Sequence, residues 1–345
     1  MPFPSEFPVA GDAPGEAGVA KCMRDWSTRP VLMHRLPDRV VGPAISIYPG
    51  RGQAMELAVT ETAAYDRSTP RWRMYVFRAI AVIYILLGLV VLEGVTEGLM
   101  PWTTIGCPGC MDNYNPELHR WYGAMHGAMI AILFSGSMFA LLLKPLARPL
   151  LLQFYVLGFL ILATGFTAVS FQEIAETKPG VMIPFGIAMA IIVVAYPSFS
   201  RFKSFARDLP ASIPLLALTA VSGLILAPQI WQDLQRQLDG TSADEHAVSG
   251  RWIESVIVMT VLIVAGLLTS TRRPGWTVLG TLLGVAYVYL GISAITVPDQ
   301  PGGWGELGGI AALAGGLAYL GLTYRESRAV QPAIELSSEN LVHAD

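Results

Sequence analysis

The segment PLLLQFYVLGFLILATGFTAVSF, residues 149–171, runs for 23 residues without a charged side chain. An α-helix of about 20 residues crosses the roughly 30 Å hydrocarbon core of a bilayer, because each residue adds about 1.5 Å. Comparable apolar stretches lie near 75–94, 122–143, 181–199, 212–230, 252–270, 275–295 and 307–324. The sequence therefore predicts an all-α polytopic membrane helix bundle with eight transmembrane helices.

The composition agrees with a membrane protein. The 345 residues are 53% hydrophobic and 14% charged, with a formal net charge of −3. A soluble domain is about 45–50% apolar and about 25% charged. These values exclude a soluble enzyme and a basic nucleic-acid binder, and three cysteines are too few for a disulfide-rich secreted scaffold. The predicted partner is the lipid bilayer.

Tryptophans mark the ends of the predicted spans. An indole ring prefers the headgroup region of a membrane, so a tryptophan near a span end is a candidate interface anchor. The tryptophans at or just beyond span ends are Trp72, Trp102, Trp121, Trp231, Trp252, Trp276 and Trp304.

Lysine and arginine are distributed unequally between the predicted loops. Thirteen lie on one side of the spans, from Arg67 to Arg328, and four lie on the other. The four are Arg120, Lys178, Arg236 and Arg251. Because cytoplasmic loops carry the excess of Lys and Arg, both termini are predicted in the cytoplasm, and the 100–120 and 231–251 loops outside a plasma membrane.

The spans divide the chain into four predicted segments. They are a disordered, Pro- and Gly-rich cytoplasmic tail over 1–74, transmembrane halves of four helices each over 75–200 and 201–328, and a cytoplasmic tail over 329–345. Two translation starts stay open, Met1 or Met55, and the second would leave 1–54 untranslated.

The two halves share residue pairs at a constant spacing. Ile187-Ala188 and Ala195-Tyr196 recur 123 residues later as Ile310-Ala311 and Ala318-Tyr319. With four spans in each half, a duplication would give two parallel four-helix repeats. Transporters often have such repeats, with binding sites at the repeat interface. Chance likeness between apolar helices is the open alternative.

Small residues recur four apart in three spans, at Gly123/Gly127, Gly280/Gly284 and Gly305/Gly309. This spacing lets two helices approach closely. The contact lies either within the bundle or between chains, so a homo-oligomer or a membrane partner subunit stays open.

The first predicted outer loop contains two cysteines, Cys107 and Cys110. A CxxC spacing lowers the thiol pKa in redox proteins, and an oxidising compartment also permits a disulfide. The pair is therefore either a catalytic redox pair linked to a quinone or a structural disulfide. Its placement resembles the DsbB-type quinone-linked thiol oxidases, but that family has a second pair in its second outer loop, and residues 172–180 contain no cysteine.

Two histidines lie seven residues apart at the start of the second span, His119 and His126. This spacing places them on one helix face, and His126 lies about 7.5 Å inside Trp121. An ionisable residue at that depth is a candidate functional group. The candidate roles of His126 are haem ligand, quinone hydrogen-bond partner or proton relay, and a neutral structural histidine is the alternative.

Further polar residues are predicted at the same face, namely Glu93, Glu254 and His246. Together with His119 and His126 they form a candidate binding site or proton relay, and any metal is unknown. A capping-box pattern at 242–245 predicts that the sixth span begins as a helix near Ala243.

The sequence lacks several enzyme motifs, including a Walker A loop, HExxH, GxSxG and a dinucleotide glycine fingerprint. We therefore predict a non-catalytic membrane or transport role with its functional face outside the cytoplasm. The alternative is a membrane redox protein that uses the cysteine pair with a quinone or a haem.

Overall fold

The computed structural model describes residues 70–103, 119–172, 182–203 and 210–342. Within these ranges the chain is helical and forms no β-strand. The helices are α1 Arg71–Val91, α2 Gly94–Gly98, α3 Arg120–Leu143, α4 Pro149–Val169, α5 Met182–Ala195, α6 Phe199–Lys203, α7 Ile213–Asp239, α8 Glu245–Val248, α9 Arg251–Ser270, α10 Trp276–Thr296 and α11 Gly305–Val342.

Seven of these helices are long and apolar enough to cross a membrane: α1, α3, α4, α7, α9, α10 and α11. They support a multi-pass membrane protein and match seven of the predicted spans. The remaining predicted span corresponds to α5, which is apolar but has 14 described residues. Because residues 173–181 lie outside the described ranges, the total of eight spans stays a prediction.

The first helix begins earlier than predicted, at Arg71 rather than residue 75. Pro70 immediately precedes it, and a proline is tolerated at a helix start because no intrahelical partner is needed there. The rest of the predicted tail lies outside the described ranges. At the other end of the chain, α11 continues as a helix to Val342.

Hydrogen bonds between turns define one end of the bundle. Tyr196 donates its hydroxyl to the carbonyl of Pro145 at 2.7 Å, and the backbone N–H of Ser212 donates to Ser270 at 2.8 Å. This end carries the described cations of the larger predicted group, and we call it the arginine-rich end. The opposite end holds His119, His126 and His246, and we call it the histidine end. Which end faces the cytoplasm stays a prediction.

The glycines of the predicted spacings lie at contacts within the chain. A Cβ atom at Gly127 would collide with the Cα of Gly98, and one at Gly123 would lie 2.6 Å from the carbonyl oxygen of Glu97. A Cβ at Gly284 would likewise lie 2.7 Å from Leu320. Glycine therefore allows α2 to lie directly on α3 and α10 on α11.

The tryptophans at the predicted span ends differ in how far they are buried within the chain. Trp72 and Trp231 are 64% and 60% exposed, but Trp121, Trp252 and Trp276 are at most 7% exposed. Position at a span end does not determine which face of the helix carries the ring. The buried rings instead pack inside the bundle.

The contact between α2 and α3 predicts a strong effect of one added methyl group. Gly127→Ala places a Cβ against backbone, which no rotamer change relieves, so we expect it to lower the unfolding free energy by about 1–3 kcal/mol. SDS-titrated unfolding in mixed micelles measures the change. Gly321→Ala is the matched control, because a Cβ there meets nothing within 4 Å. Equal effects of the two substitutions would contradict the contact.

Candidate functional site

Four ionisable side chains from α2, α3 and α9 meet at the histidine end. His126 Nδ1 lies 2.5 Å from Glu254 Oε1 and 3.7 Å from Glu97 Oε2. Arg251 donates to Glu254 Oε2 at 2.8 Å and to Glu97 Oε1 at 3.0 Å. These side chains are 6–19% exposed. We call His126, Glu254, Arg251 and Glu97 the charge network.

A break between α1 and α2 places Glu97 in this network. Helix α1 ends at Val91. Two residues later, Glu93 adopts a left-handed conformation with a φ of 53°. This conformation is uncommon for a residue with a side chain and turns the chain into α2. The contacts of Gly98 with α3 then hold Glu97 beside His126.

A second break in the chain places Arg251 and Glu254. The side chain of Asp244 caps α8 by accepting from the N–H groups of His246 and Ala247. Gly250 then adopts a φ of 74°, and α9 begins afterwards at Arg251. The prediction of a continuous helix from Ala243 is therefore wrong, since the left-handed glycine separates two helices. Arg251 and Glu254 are three residues apart and share one face of α9.

The second ring nitrogen of His126 also faces an acceptor. Its Nε2 lies 2.6 Å from the carbonyl oxygen of Leu92, which follows the last turn of α1. Carbonyl and carboxylate oxygens only accept hydrogen bonds, so both ring nitrogens of His126 must carry hydrogens to bond at both positions. The network then contains two cations and two anions, and buried charges of this kind are tolerated when paired and hydrogen-bonded.

The contacts of His126, Glu97 and Glu254 also decide between a metal or haem site and a network of paired charges. The ligand atoms of Glu97, His126 and Glu254 lie within 4.8 Å of one another, close enough to surround a cation. However, Arg251 already binds both carboxylates and would repel a second cation. A metal or a haem iron also requires an imidazole nitrogen with a free lone pair. The arrangement therefore favours a charge-balanced network over a metal centre.

His126 also lines a cavity of about 190 Å³ between α1, α3, α4 and α5. We call it the first cavity. Its walls are mainly aromatic and aliphatic, and they include Tyr84, Phe134, Tyr155 and Met189. Polar groups are few on its surface, so an apolar molecule fits this space and meets a hydrogen-bonding group at His126.

Two π-helical segments border the first cavity. They are Leu87–Val91 at the end of α1 and Ala128–Ser135 within α3. They lie against each other, since a Cβ at Gly88 would come 2.5 Å from the Ser135 hydroxyl. Such wide turns are rare in helices and occur frequently at functional sites.

The other predicted histidines form a separate aromatic cluster. His119 is 1% exposed, bonds Glu245 at 3.0 Å and lies 5.1 Å from the ring of His246. Tyr122 and Trp252 pack on His246. Burial lowers the pKa of His119 below its ordinary value, and the nearby positive charge of Arg251 acts in the same direction.

The predicted site residues therefore divide into groups. His126 and Glu254 are in direct contact, but the additional acid in their network is Glu97 rather than Glu93. Arg251 is counted above among the loop cations. Its spacing of three from Glu254 is visible in the sequence and is typical of an ion pair on one helix face. Cys107 and Cys110 lie outside the described residues.

Searches of protein-family models, of curated proteins and of solved structures find no match to this chain. Its function is therefore inferred from the chemistry of its own residues.

Removal of the central cation tests the charge network. Arg251→Met leaves two buried carboxylates without their shared partner, and we expect a loss of about 3–5 kcal/mol in unfolding free energy. Arg325→Met, at an exposed position, should change stability by less than about 0.5 kcal/mol. Adding Glu97→Gln to Arg251→Met should recover part of the loss, because one unpaired charge is removed. Similar losses for Arg251→Met and Arg325→Met would refute the network.

The buried His119 predicts a dependence of stability on pH. Its pKa is lower in the folded than in the unfolded chain, so the unfolded chain binds more protons as pH falls through about 6.5. His119 therefore contributes a decrease in unfolding temperature between about pH 7.5 and pH 5, whereas a protonated His126 contributes an increase over the same range. In detergent-purified protein, the unfolding temperature of wild type should fall relative to that of His119→Gln as the pH is lowered, and parallel curves for the two proteins would contradict the assignment.

Proposed function

We propose that this chain is a non-catalytic transport protein of the plasma membrane, with eight spans, cytoplasmic termini and its site at the outer face. It binds a small, mainly apolar molecule with one hydrogen-bond acceptor in the first cavity. The observation that carries this proposal is that His126 belongs both to the charge network and to the cavity wall.

The position of His126 couples binding to the break between α1 and α2. A bound acceptor competes with the carbonyl of Leu92 for Nε2 of His126. When the ligand accepts the hydrogen bond from Nε2, the bond between His126 and Leu92 is lost and the junction between α1 and α2 is less firmly held. The adjoining π-helical segments supply a second place where α1 and α3 rearrange, since their hydrogen-bond register differs from that of an ordinary α-helix. This is how binding would open a path past the charge network.

Packing between the halves supports the proposed parallel repeat. Helix α4 of the first half packs against α9 of the second, and α10 of the second packs reciprocally against α3 of the first. The contact of α1 with α5 likewise has its counterpart in the contact of α7 with α11. A two-fold relation produces such reciprocal pairs. Parallel repeats related by an axis along the membrane normal are a known transporter architecture.

The alternative is a redox protein with a quinone in the same cavity. Aromatic walls and a donating histidine suit a quinone ring, and the Cys107–Cys110 pair would exchange electrons with it. Haem is less well supported, because both nitrogens of His126 face acceptors. If thiol trapping finds Cys107 and Cys110 always oxidised, and Cys→Ser changes nothing, this alternative fails.

Filling the first cavity tests the proposed binding site. We use 1-naphthol, an apolar ring compound with one hydroxyl, and measure saturable binding by equilibrium dialysis against empty micelles. Ala188→Leu places a larger side chain in the cavity wall and should weaken binding at least tenfold. Ala190→Leu lies on an exposed face of the same helix and should leave binding unchanged.

Transport is tested with the same probe in proteoliposomes. Wild-type protein and Ala190→Leu should accelerate 1-naphthol equilibration across the bilayer relative to protein-free liposomes, and Ala188→Leu should not. Binding without accelerated equilibration would refute the transport role, and equal binding by both variants would refute the site.

A further inference from the structure

We infer that the second half carries another binding site, in a cavity of about 210 Å³ between α7, α10 and α11, for an uncharged planar molecule with a hydrogen-bonding oxygen. We call it the second cavity. It lies apart from the charge network, and the inference is independent of the function proposed for the first cavity.

One wall of the second cavity is formed by small residues of α11. Gly308, Ala311, Ala312 and Gly315 line it and carry no side chain larger than a methyl group. A Cβ atom built at Gly315 meets no atom within 4 Å, so the space above this residue is open. The walls include the rings of Tyr287 and Trp304. Small residues on one side and aromatic rings on the other leave space in which a planar ring can pack against aromatic side chains.

A buried hydroxyl supplies the hydrogen-bonding group. Tyr287 is 4% exposed and lines the cavity. Its hydroxyl interacts with that of Ser222, which lines the same cavity. A hydroxyl has one donor and two acceptor sites, so this pair keeps hydrogen-bonding capacity for a ligand. An oxygen atom on the ligand would accept a hydrogen bond from Tyr287.

The charges around the second cavity favour an uncharged ligand. Its lining contains no Asp, Glu, Lys or Arg. The carboxylate of Asp233 contacts the lining through Gln229. It accepts from Gln229 at 2.8 Å, from Ser255 at 2.8 Å and from Arg236 at 3.3 Å. Because this carboxylate is already engaged, a charged ligand in the cavity would remain unpaired, which is unfavourable away from water.

The two cavities share a feature of the predicted repeat. Ala188 and Met189 line the first cavity, and Ala311 and Ala312 line the second, at the same spacing of 123 residues. These pairs lie on α5 and α11, the last helix of each half. The cavities therefore use corresponding positions of the predicted repeat, with alanine in α11 where α5 has Met189.

The probe for this site is acetophenone, a planar ring with one carbonyl oxygen. Its matched controls are ethylbenzene, which lacks the acceptor, and benzoate, which is charged. Saturable binding to the purified full-length protein is measured by equilibrium dialysis, with binding to empty micelles subtracted. Gly315→Leu fills the open space, and Gly321→Leu is the matched control, because a Cβ at Gly321 also meets nothing within 4 Å but the residue does not line the cavity.

All variants carry Ala188→Leu, which fills the first cavity, because acetophenone also has the apolar ring and the single acceptor proposed for that site. The expected result is saturable binding of acetophenone to Ala188→Leu alone and with Gly321→Leu, its loss when Gly315→Leu is added, and about tenfold weaker binding when Tyr287→Phe is added. Ethylbenzene and benzoate should bind at least tenfold more weakly than acetophenone. Binding that is absent from Ala188→Leu, or unaffected by both Gly315→Leu and Tyr287→Phe, would overturn the inference.

Discussion

The guanidinium group of Arg251, held between two buried carboxylates, is the interaction on which the histidine end depends. Each carboxylate reaches Arg251 from a different element: Glu254 from the next turn of α9, and Glu97 from α2. Removing charges from water is costly, and the cost is offset when the charges pair at hydrogen-bonding distance. His126 completes the balance and connects α3 to the same network.

Helix α9 contributes neighbouring residues to two separate sets of polar contacts. Glu254 faces the charge network beside the first cavity, whereas its neighbour Ser255 donates to Asp233 on α7. Asp233 in turn holds Gln229, which lines the second cavity. Adjacent residues of one helix thus connect to the surroundings of both cavities.

The fold was largely predictable from the sequence, and the site was predictable in part. Long apolar stretches require helices in a bilayer, so seven spans were predicted with starts within about four residues of the helix starts. The ends were predicted less well, since α7 continues to Asp239 and α11 to Val342. His126 and Glu254 stood out as ionisable residues inside apolar segments. Glu97, which was not among the predicted site residues, belongs to the charge network, because the left-handed conformation of Glu93 redirects the chain and is not indicated by its residue type. Burial of Trp121 and Trp252, and both cavities, depend on how helix faces pair in three dimensions, which periodicity alone does not specify.

The protonation of His126 tests the central claim, a charge-balanced network beside the first cavity, most directly. Solid-state NMR of protein labelled with ¹⁵N-histidine in lipid bilayers distinguishes protonated from bare ring nitrogens. The His126→Gln spectrum identifies the resonances. The account predicts that both nitrogens of His126 carry hydrogens at pH 7, because one donates to Glu254 and the other to Leu92. A neutral ring with one bare nitrogen would contradict it.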